Sequence, residues 1–336
     1  MPQNPSTTAT GNKPRVILGL MTFGPPGTEA EGSRIVSIDE YNKCLDTLQS
    51  RGCNEVDTAR MYIGGAQEAF TREARWKERG LTLATKNYPI VPGDHEPTKL
   101  RATLEKSLSE LGTSSVDLLY LHAPDRSVPF VDTLRELNKL HQEGKFVKLG
   151  LSNFASWEVA EVWNIANDNG WVKPSVYQAL YNCITRSIEL ELIPCCRKFG
   201  IDIVIFNPLA GGLFSGKYKS KDAPTEGRFS TQSPIFGKLY RGRYFQDPIF
   251  SALAIIQPIA EKSGLTLLET ALRWCVHHSA LKVTDGNDGI IIGVSSLKQL
   301  DSNLTDLEKG PLPEEVVKAI DEAWDSLKSR AANYFH

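Results

Sequence analysis

The sequence has no excess of charge of either sign: 38 Lys and Arg stand against 40 Asp and Glu in 336 residues. A formal net charge of −2 provides no electrostatic footprint for nucleic acid or an acidic membrane, so neither is expected as a partner. No stretch of about 18 apolar residues occurs, and no helix is expected to span a bilayer. Cysteine is unpatterned. Cys44, Cys53, Cys183, Cys195, Cys196 and Cys275 include no C-x-x-C pair, which argues against a disulfide framework and a zinc site. The histidines lack ligand spacing, because adjacent His277 and His278 point different ways on a helix, and no metal is expected. No G-x-G-x-x-G follows the first apolar run, so a Rossmann nucleotide site is not supported. Residues 1–13 lack both an apolar signal core and an Arg-rich amphipathic pattern. They read as a frayed tail on a cytoplasmic protein.

What is present is ordinary globular composition, 41% hydrophobic and 23% charged. Short apolar runs over 16–20, 55–57, 81–86, 116–122, 147–151, 176–179, 201–206 and 289–292 read as buried parallel strands. Helical spacing fills the intervals. Ser37-Ile38-Asp39-Glu40 is a capping box ahead of Tyr41, Leu45 and Leu48. A helix is expected over 67–76. Thr98 is expected to cap a helix bearing Leu100, Leu104, Leu108 and Leu111, closed by Gly112. Further helices are expected over 131–142, from Ser156, and over 187–199, 249–262 and 266–278. The last two open at Ser296 and Pro313. Residues 208–247 read as a long irregular stretch rich in Gly, Arg and aromatics (Phe214, Tyr218, Phe229, Phe236, Tyr240, Tyr244, Phe245), and loops of that length are usually functional. The alternation predicts an α/β fold, a TIM-type (β/α)₈ barrel over 14–336 as a single domain with a C-terminal helical extension.

Polar residues end these runs, and in a barrel such ends converge on one mouth. Asp57, Tyr62, Lys86 and His122 lie at or just after three successive strand ends. Asp57 and Lys86 can pair. A cation beside Tyr62 is expected to lower its pKa and make it a better proton donor. His122 can orient a substrate oxygen. The four suit protonation of an oxygen as hydride reaches its carbon. For a pyrophosphate, the candidates are the loop Asn207-Pro208-Leu209-Ala210-Gly211-Gly212-Leu213-Phe214-Ser215-Gly216-Lys217 and the segment Gly293-Val294-Ser295-Ser296. Glycines allow close approach of backbone amides, and a helix N-terminus favours anions.

The segments Asp57-Thr58-Ala59-Arg60-Met61-Tyr62, Ala84-Thr85-Lys86 and Leu119-Tyr120-Leu121-His122 resemble the catalytic tetrad motifs of the aldo-keto reductase superfamily. Leu149-Gly150-Leu151-Ser152-Asn153 and Tyr177-Gln178 resemble its nicotinamide-anchoring segments. Leu121-His122-Ala123-Pro124-Asp125, His141-Gln142-Glu143-Gly144-Lys145-Phe146, Ser156-Trp157-Glu158-Val159-Ala160-Glu161, the stretch from Asn207 to Gly212, and Asn333-Tyr334-Phe335 point to its aflatoxin-aldehyde-reductase branch. The resemblance implies Tyr62 as general acid tuned by Lys86 and Asp57, with His122 orienting the carbonyl. Ser152, Asn153 and Gln178 would bond the nicotinamide carboxamide. Phe206 would stack on the nicotinamide ring, beside its alternative role as a core strand residue. Met21, Thr22, Arg228, Gln299 and Asn303 complete the implied dinucleotide site, and Tyr240 and Arg243 are the implied substrate contacts.

NADPH is the implied cofactor and a small-molecule carbonyl compound the implied substrate; homodimerisation is left open. Many relatives carry a lysine for the 2′-phosphate where this chain has Gly293, which leaves Arg228 and Lys298 as candidate charges. Relatives of the branch often carry Arg after Asn-Tyr-Phe, where this chain has His336, so weaker preference for acidic substrates is expected. Two other readings stand beside the reductase. One is a Schiff-base enzyme using Lys86. The other is a cofactor-sensing channel subunit, disfavoured because no long gating segment precedes residue 14.

Overall fold

A computed structural model describes residues 13–218, 220–222, 224–225, 227–231, 236–331 and 333–336. The expected N-terminal tail, Lys13 apart, lies outside the described residues. The strands are β1 (Val16–Gly19), β2 (Glu55–Asp57), β3 (Thr82–Asn87), β4 (Val116–Leu121), β5 (Phe146–Ser152), β6 (Pro174–Leu180), β7 (Asp202–Phe206) and β8 (Gly289–Gly293). They pair in chain order, all parallel, and β1 closes on β8 from Val16↔Ile290 to Gly19↔Gly293. This is the predicted (β/α)₈ barrel.

The continuous apolar runs are explained by burial on both faces. Along β4, Leu118 and Tyr120 point inward and join Ile17, Ala84, Val176, Val204 and Ile291 in a cluster filling the barrel. The alternate residues Leu119 and Leu121 point outward into the larger core beneath the helices. Inside the barrel the ring of Tyr120 needs space that its register partner on β5 provides. That partner is Gly150, where a Cβ would overlap the Tyr120 ring.

The helices of the outer layer are α1 (Ile38–Ser50), α2 (Gln67–Glu73), α3 (Pro97–Leu111), α4 (Phe130–Gln142), α5 (Ser156–Asp168), α6 (Leu192–Lys198), α7 (Phe236–Tyr244), α8 (Asp247–Lys262), α9 (Leu267–His277), α10 (Leu297–Leu307) and α11 (Glu314–Leu327). Each buries its periodic residues, such as Tyr41, Leu45 and Leu48 of α1. Among the described residues no helix is long and apolar enough to cross a membrane, and no cluster of metal-ligating side chains occurs.

Several local expectations are corrected. Ser37 does cap α1, accepting from the Glu40 amide, but the Glu40 carboxylate accepts from Leu297 N instead of reaching back. The capping box is thus half made, because α1 and α10 pack side by side. Glu96, not Thr98, occupies the cap of α3, since Pro97 takes the first helical position, where its missing N–H costs nothing. The helix expected over 187–199 is a 3₁₀ turn, Ser187–Glu189, followed by the short α6. The irregular stretch contains a 3₁₀ segment, Ala210–Ser215, and α7. Its glycines hid α7 from periodicity, while Phe229, Tyr240 and Phe245 pack together there.

Gly150→Ala should force Tyr120 off its rotamer inside a closed barrel. A loss of about 1–3 kcal/mol in unfolding free energy is expected, read from urea denaturation.

Candidate active site

The barrel brings three strand ends and one loop together at its C-terminal mouth. After β2 ends at Asp57, the chain runs on beside β3, with Thr58 N donating to Ala84 O (2.8 Å) and Arg60 N to Lys86 O (3.1 Å). It then turns tightly, Tyr62 N reaching Ala59 O at 3.1 Å. Ile63, Gly64 and Gly65 follow with φ of 50, 57 and 91°. Positive φ is unusual for a β-branched residue, and buried Ile63 marks a loop held in place by its surroundings.

Lys86 is 1% exposed and Asp57 3%. The Lys86 ammonium donates to Asp57 Oδ1, to Thr58 O at 2.7 Å and to the Tyr62 hydroxyl at 3.4 Å. Asp57 Oδ2 accepts from Gln178 Nε2 at 2.9 Å. A buried pair is tolerated only when its remaining polar capacity is met in this way. Burial pulls the Lys86 ammonium down, but Asp57 and Tyr62 outweigh it and hold it raised, so it stays charged.

Lys86 does pull the pKa of Tyr62 down, as expected, but in the free protein the net shift is upward. Burial raises the half-buried phenol more than Lys86 lowers it, and the Asp57 carboxylate adds to the rise. His122 meets Tyr62 edge-on, with ring centroids 6.1 Å apart. Burial, then Lys86 and His336, push the His122 imidazole well below its ordinary pKa, so it is neutral at pH 7. Its Nδ1 is buried without a hydrogen-bond partner among the described residues.

The other predicted positions fall into three groups. Ser152 and Asn153 lie at the end of β5, where Asn153 takes φ 61° and its Nδ2 donates to His122 O (2.7 Å) and Ser152 Oγ (3.1 Å). Gln178 is buried, and its amide nitrogen serves Asp57. Phe206 is half-buried at the end of β7 and packs on the barrel-filling cluster. In the second group, Asn207 (φ 58°) and Ala210 (φ 48°) join Gly211 and Gly212 in left-handed turns, and Gly216 ends the 3₁₀ segment at φ 72°. Pro208 is buried, Leu209 half-buried, and Leu213 points into the core, so Leu213 can offer a ligand only its backbone. Ser215 and Lys217 are exposed. Across the mouth, Met21 is half-buried and the Thr22 hydroxyl donates to Val294 O. Exposed Gly293 ends β8. Ser296 caps α10, and Ser295 donates through N and Oγ to Gln299 Oε1, both at 2.9 Å.

In the third group, Tyr240 and Arg228 are together rather than apart. The Tyr240 hydroxyl donates to Asn207 Oδ1 (3.2 Å) and accepts from Arg228 (3.1 Å), whose guanidinium also lies 5.0 Å from the Tyr240 ring centroid. Arg243 makes no hydrogen bond or salt bridge among the described residues. It lies close enough to His336 to depress that imidazole's pKa, after the larger effect of burial.

These residues fit a dinucleotide. Buried Asn207 Nδ2 and Asn303 Oδ1 lack partners among the described residues. Left-handed glycines open the loop after β7, and a serine-capped helix follows β8. Polar atoms buried without a partner in a native site ask for one.

Sequence reasoning missed several contributors. Asn182 bonds Asn207 O at 3.0 Å, and Arg126 bonds His336 O at 3.0 Å. Tyr334 accepts from Ser156 N at 3.0 Å and donates to Glu191, drawing the C-terminal segment across the mouth. His336 N reaches Asn153 O at 3.4 Å. Asn182, polar just after an apolar run, carried a signal of the kind used for the others, and Tyr334 and His336 lay in the C-terminal segment that the family resemblance had singled out.

An eight-stranded parallel barrel with a buried Lys–Asp pair, a tyrosine and a neutral histidine at its mouth defines a carbonyl-reducing class of oxidoreductase. Residues 15–325 match the Aldo/keto reductase family, and the chain belongs to it. It is 45% identical over 295 residues to an aldo-keto reductase of Pseudocercospora fijiensis, covering 87% of this chain and 99% of that protein. Aflatoxin B1 aldehyde reductase member 2 of Rattus norvegicus is 40% identical over 334 residues, 96% of this chain and 88% of the relative. Aldo-keto reductase family 7 member A3 of Homo sapiens is 43% identical over 334 residues, 96% and 97% respectively.

Lys86→Met should strand the Asp57 carboxylate in the barrel. A destabilisation of about 3–5 kcal/mol is expected in urea unfolding, and adding Asp57→Asn should recover part of it.

Proposed function

We propose that this protein reduces aldehydes or ketones of small molecules to alcohols, with NADPH as reductant and Tyr62 as proton donor. The observation that carries this reading is the Lys86 ammonium wedged between Asp57 and the Tyr62 hydroxyl, beside a neutral His122. When bound, the nicotinamide supplies hydride to the carbonyl carbon. Tyr62 gives its proton to the carbonyl oxygen, and Lys86 stabilises the phenolate left behind until solvent returns the proton. Because the phenol's pKa lies above its ordinary value, Tyr62 is protonated across neutral pH, as a donor must be. His122 has one N–H as a neutral ring and directs it at the same oxygen.

Ser152 and Asn153 would hold the carboxamide, with Gln178 fixing Asp57 beneath. Asn207, the glycines after it, Lys217, Ser295 and Ser296 would hold the phosphates, and Gln299 and Asn303 the adenosine. Arg228 and Lys298 would supply charge for the 2′-phosphate in the absence of a lysine at Gly293. The aromatic-rich mouth favours bulky, aromatic or dicarbonyl substrates, in keeping with the aldehyde in the rat relative's name. A Schiff base on Lys86 is disfavoured by its burial and its raised pKa. A sensing role with slow chemistry predicts poor turnover on every carbonyl compound.

Tyr62→Phe should cut turnover about 10²–10⁴-fold while NADPH still quenches protein fluorescence with unchanged affinity. Full activity in that variant defeats the proposal. Burial, Arg243 and Arg126 hold the His336 imidazole below its ordinary pKa, so at pH 7 it offers a carboxylate no charge. His336→Arg should therefore raise kcat/KM for carboxylated over neutral aldehydes about fivefold, the worth of one ion pair. An undiminished preference for acids in the parent protein removes that idea.

A further inference from the structure

The loop carrying Tyr62 is spanned by a single side chain. The Arg60 guanidinium donates through one nitrogen to Glu68 and through another to Gly65 O, the far end of the loop. Arg60 N meanwhile donates to Lys86 O at 3.1 Å, fixing the near end to the strand that bears the ammonium. Glu68, on α2, is fully buried. Its second oxygen accepts from the Thr85 hydroxyl at 2.6 Å, and Thr85 is the residue before Lys86. One carboxylate thus ties together the backbone on either side of the Tyr62–Lys86 contact.

That contact needs such a tie. At 3.4 Å the bond from Lys86 Nζ to the Tyr62 hydroxyl is near the limit of a hydrogen bond, so a small drift of the loop breaks it. The loop also carries Ile63 in the left-handed region, a conformation that persists only when neighbours over-determine it. Gly65 serves the same clamp, because a Cβ there would come within 2.7 Å of the Arg60 guanidinium. The buried Glu68 pairs with a guanidinium that is itself mostly buried, so the contact is screened little by solvent.

We propose that Arg60 and Glu68 are positioning residues for the reduction: their clamp holds the Tyr62 hydroxyl within reach of Lys86. The inference rests on Tyr62 as the proton donor. Lys86 pulls the pKa of Tyr62 down against burial. Loosening the clamp should weaken that pull, raise the phenol's pKa and slow proton transfer. Reduction needs protonated Tyr62, so activity is lost as pH rises through its pKa, and a raised pKa moves this basic limb to higher pH.

The test uses Glu68→Gln, which keeps shape but removes charge, and Arg60→Lys, whose compact ammonium cannot span both Glu68 and Gly65 O. With NADPH and an aldehyde, kcat should fall about tenfold and its basic limb should shift upward, while NADPH affinity stays at the parent value. Variants with parent melting temperature, parent kcat and an unmoved limb overturn the proposal. So does a fall in kcat with an unmoved limb, which assigns the clamp to fold support alone. If Glu68→Gln does not fold, Arg60→Lys decides the matter, since it keeps a positive charge beside the buried Glu68 carboxylate. Failure here leaves the Tyr62 reading intact; only retained turnover in Tyr62→Phe removes that.

Discussion

The structure depends on a full charge carried into the barrel and neutralised there. The Lys86 ammonium, 1% exposed, is acceptable only because Asp57, Thr58 O and the Tyr62 hydroxyl take its donors. Two of the residues that accept are in turn held by something else. Gln178 occupies the other Asp57 oxygen, and Gln67 accepts from the Thr58 hydroxyl. The result is an ammonium that cannot readily lose its proton and a phenol that cannot readily ionise until a proton is taken from it.

The electrostatics of the site follow from that charge and from burial. Lys86 acidifies Tyr62 and Asp57 opposes it, but burial is the largest influence and decides the sign of the shift. His122 receives the same treatment from the opposite side: burial and the nearby ammonium keep it neutral, the form that both donates and accepts. A charged acceptor, a charged donor, a neutral phenol and a neutral imidazole are thereby kept distinct within one mouth.

The barrel was legible because its strands are buried on both faces, which writes them as continuous aliphatic runs with polar ends. Helices with clear stripes, such as α1 and α11, were legible for the same reason of burial. Local chemistry misled where a tertiary neighbour outbid it. Glu40 could have bonded its own helix end but bonds Leu297 instead, because α10 lies beside α1. α7 could not be read through its glycines; it forms where Tyr240 and Tyr244 find partners in Asn207 and Asn182.

By itself the sequence determined the strand-and-helix alternation and the identity of the polar residues at the strand ends. These depend on residue type and spacing, and both are written along the chain. Only the tertiary structure decided what those residues do to one another. The direction of the Tyr62 shift, the joining of Arg228 to Tyr240, and the placing of His336 beside Asn153 all depend on distances and on exclusion of water. Residues far apart in the chain acquire those properties only when the barrel closes.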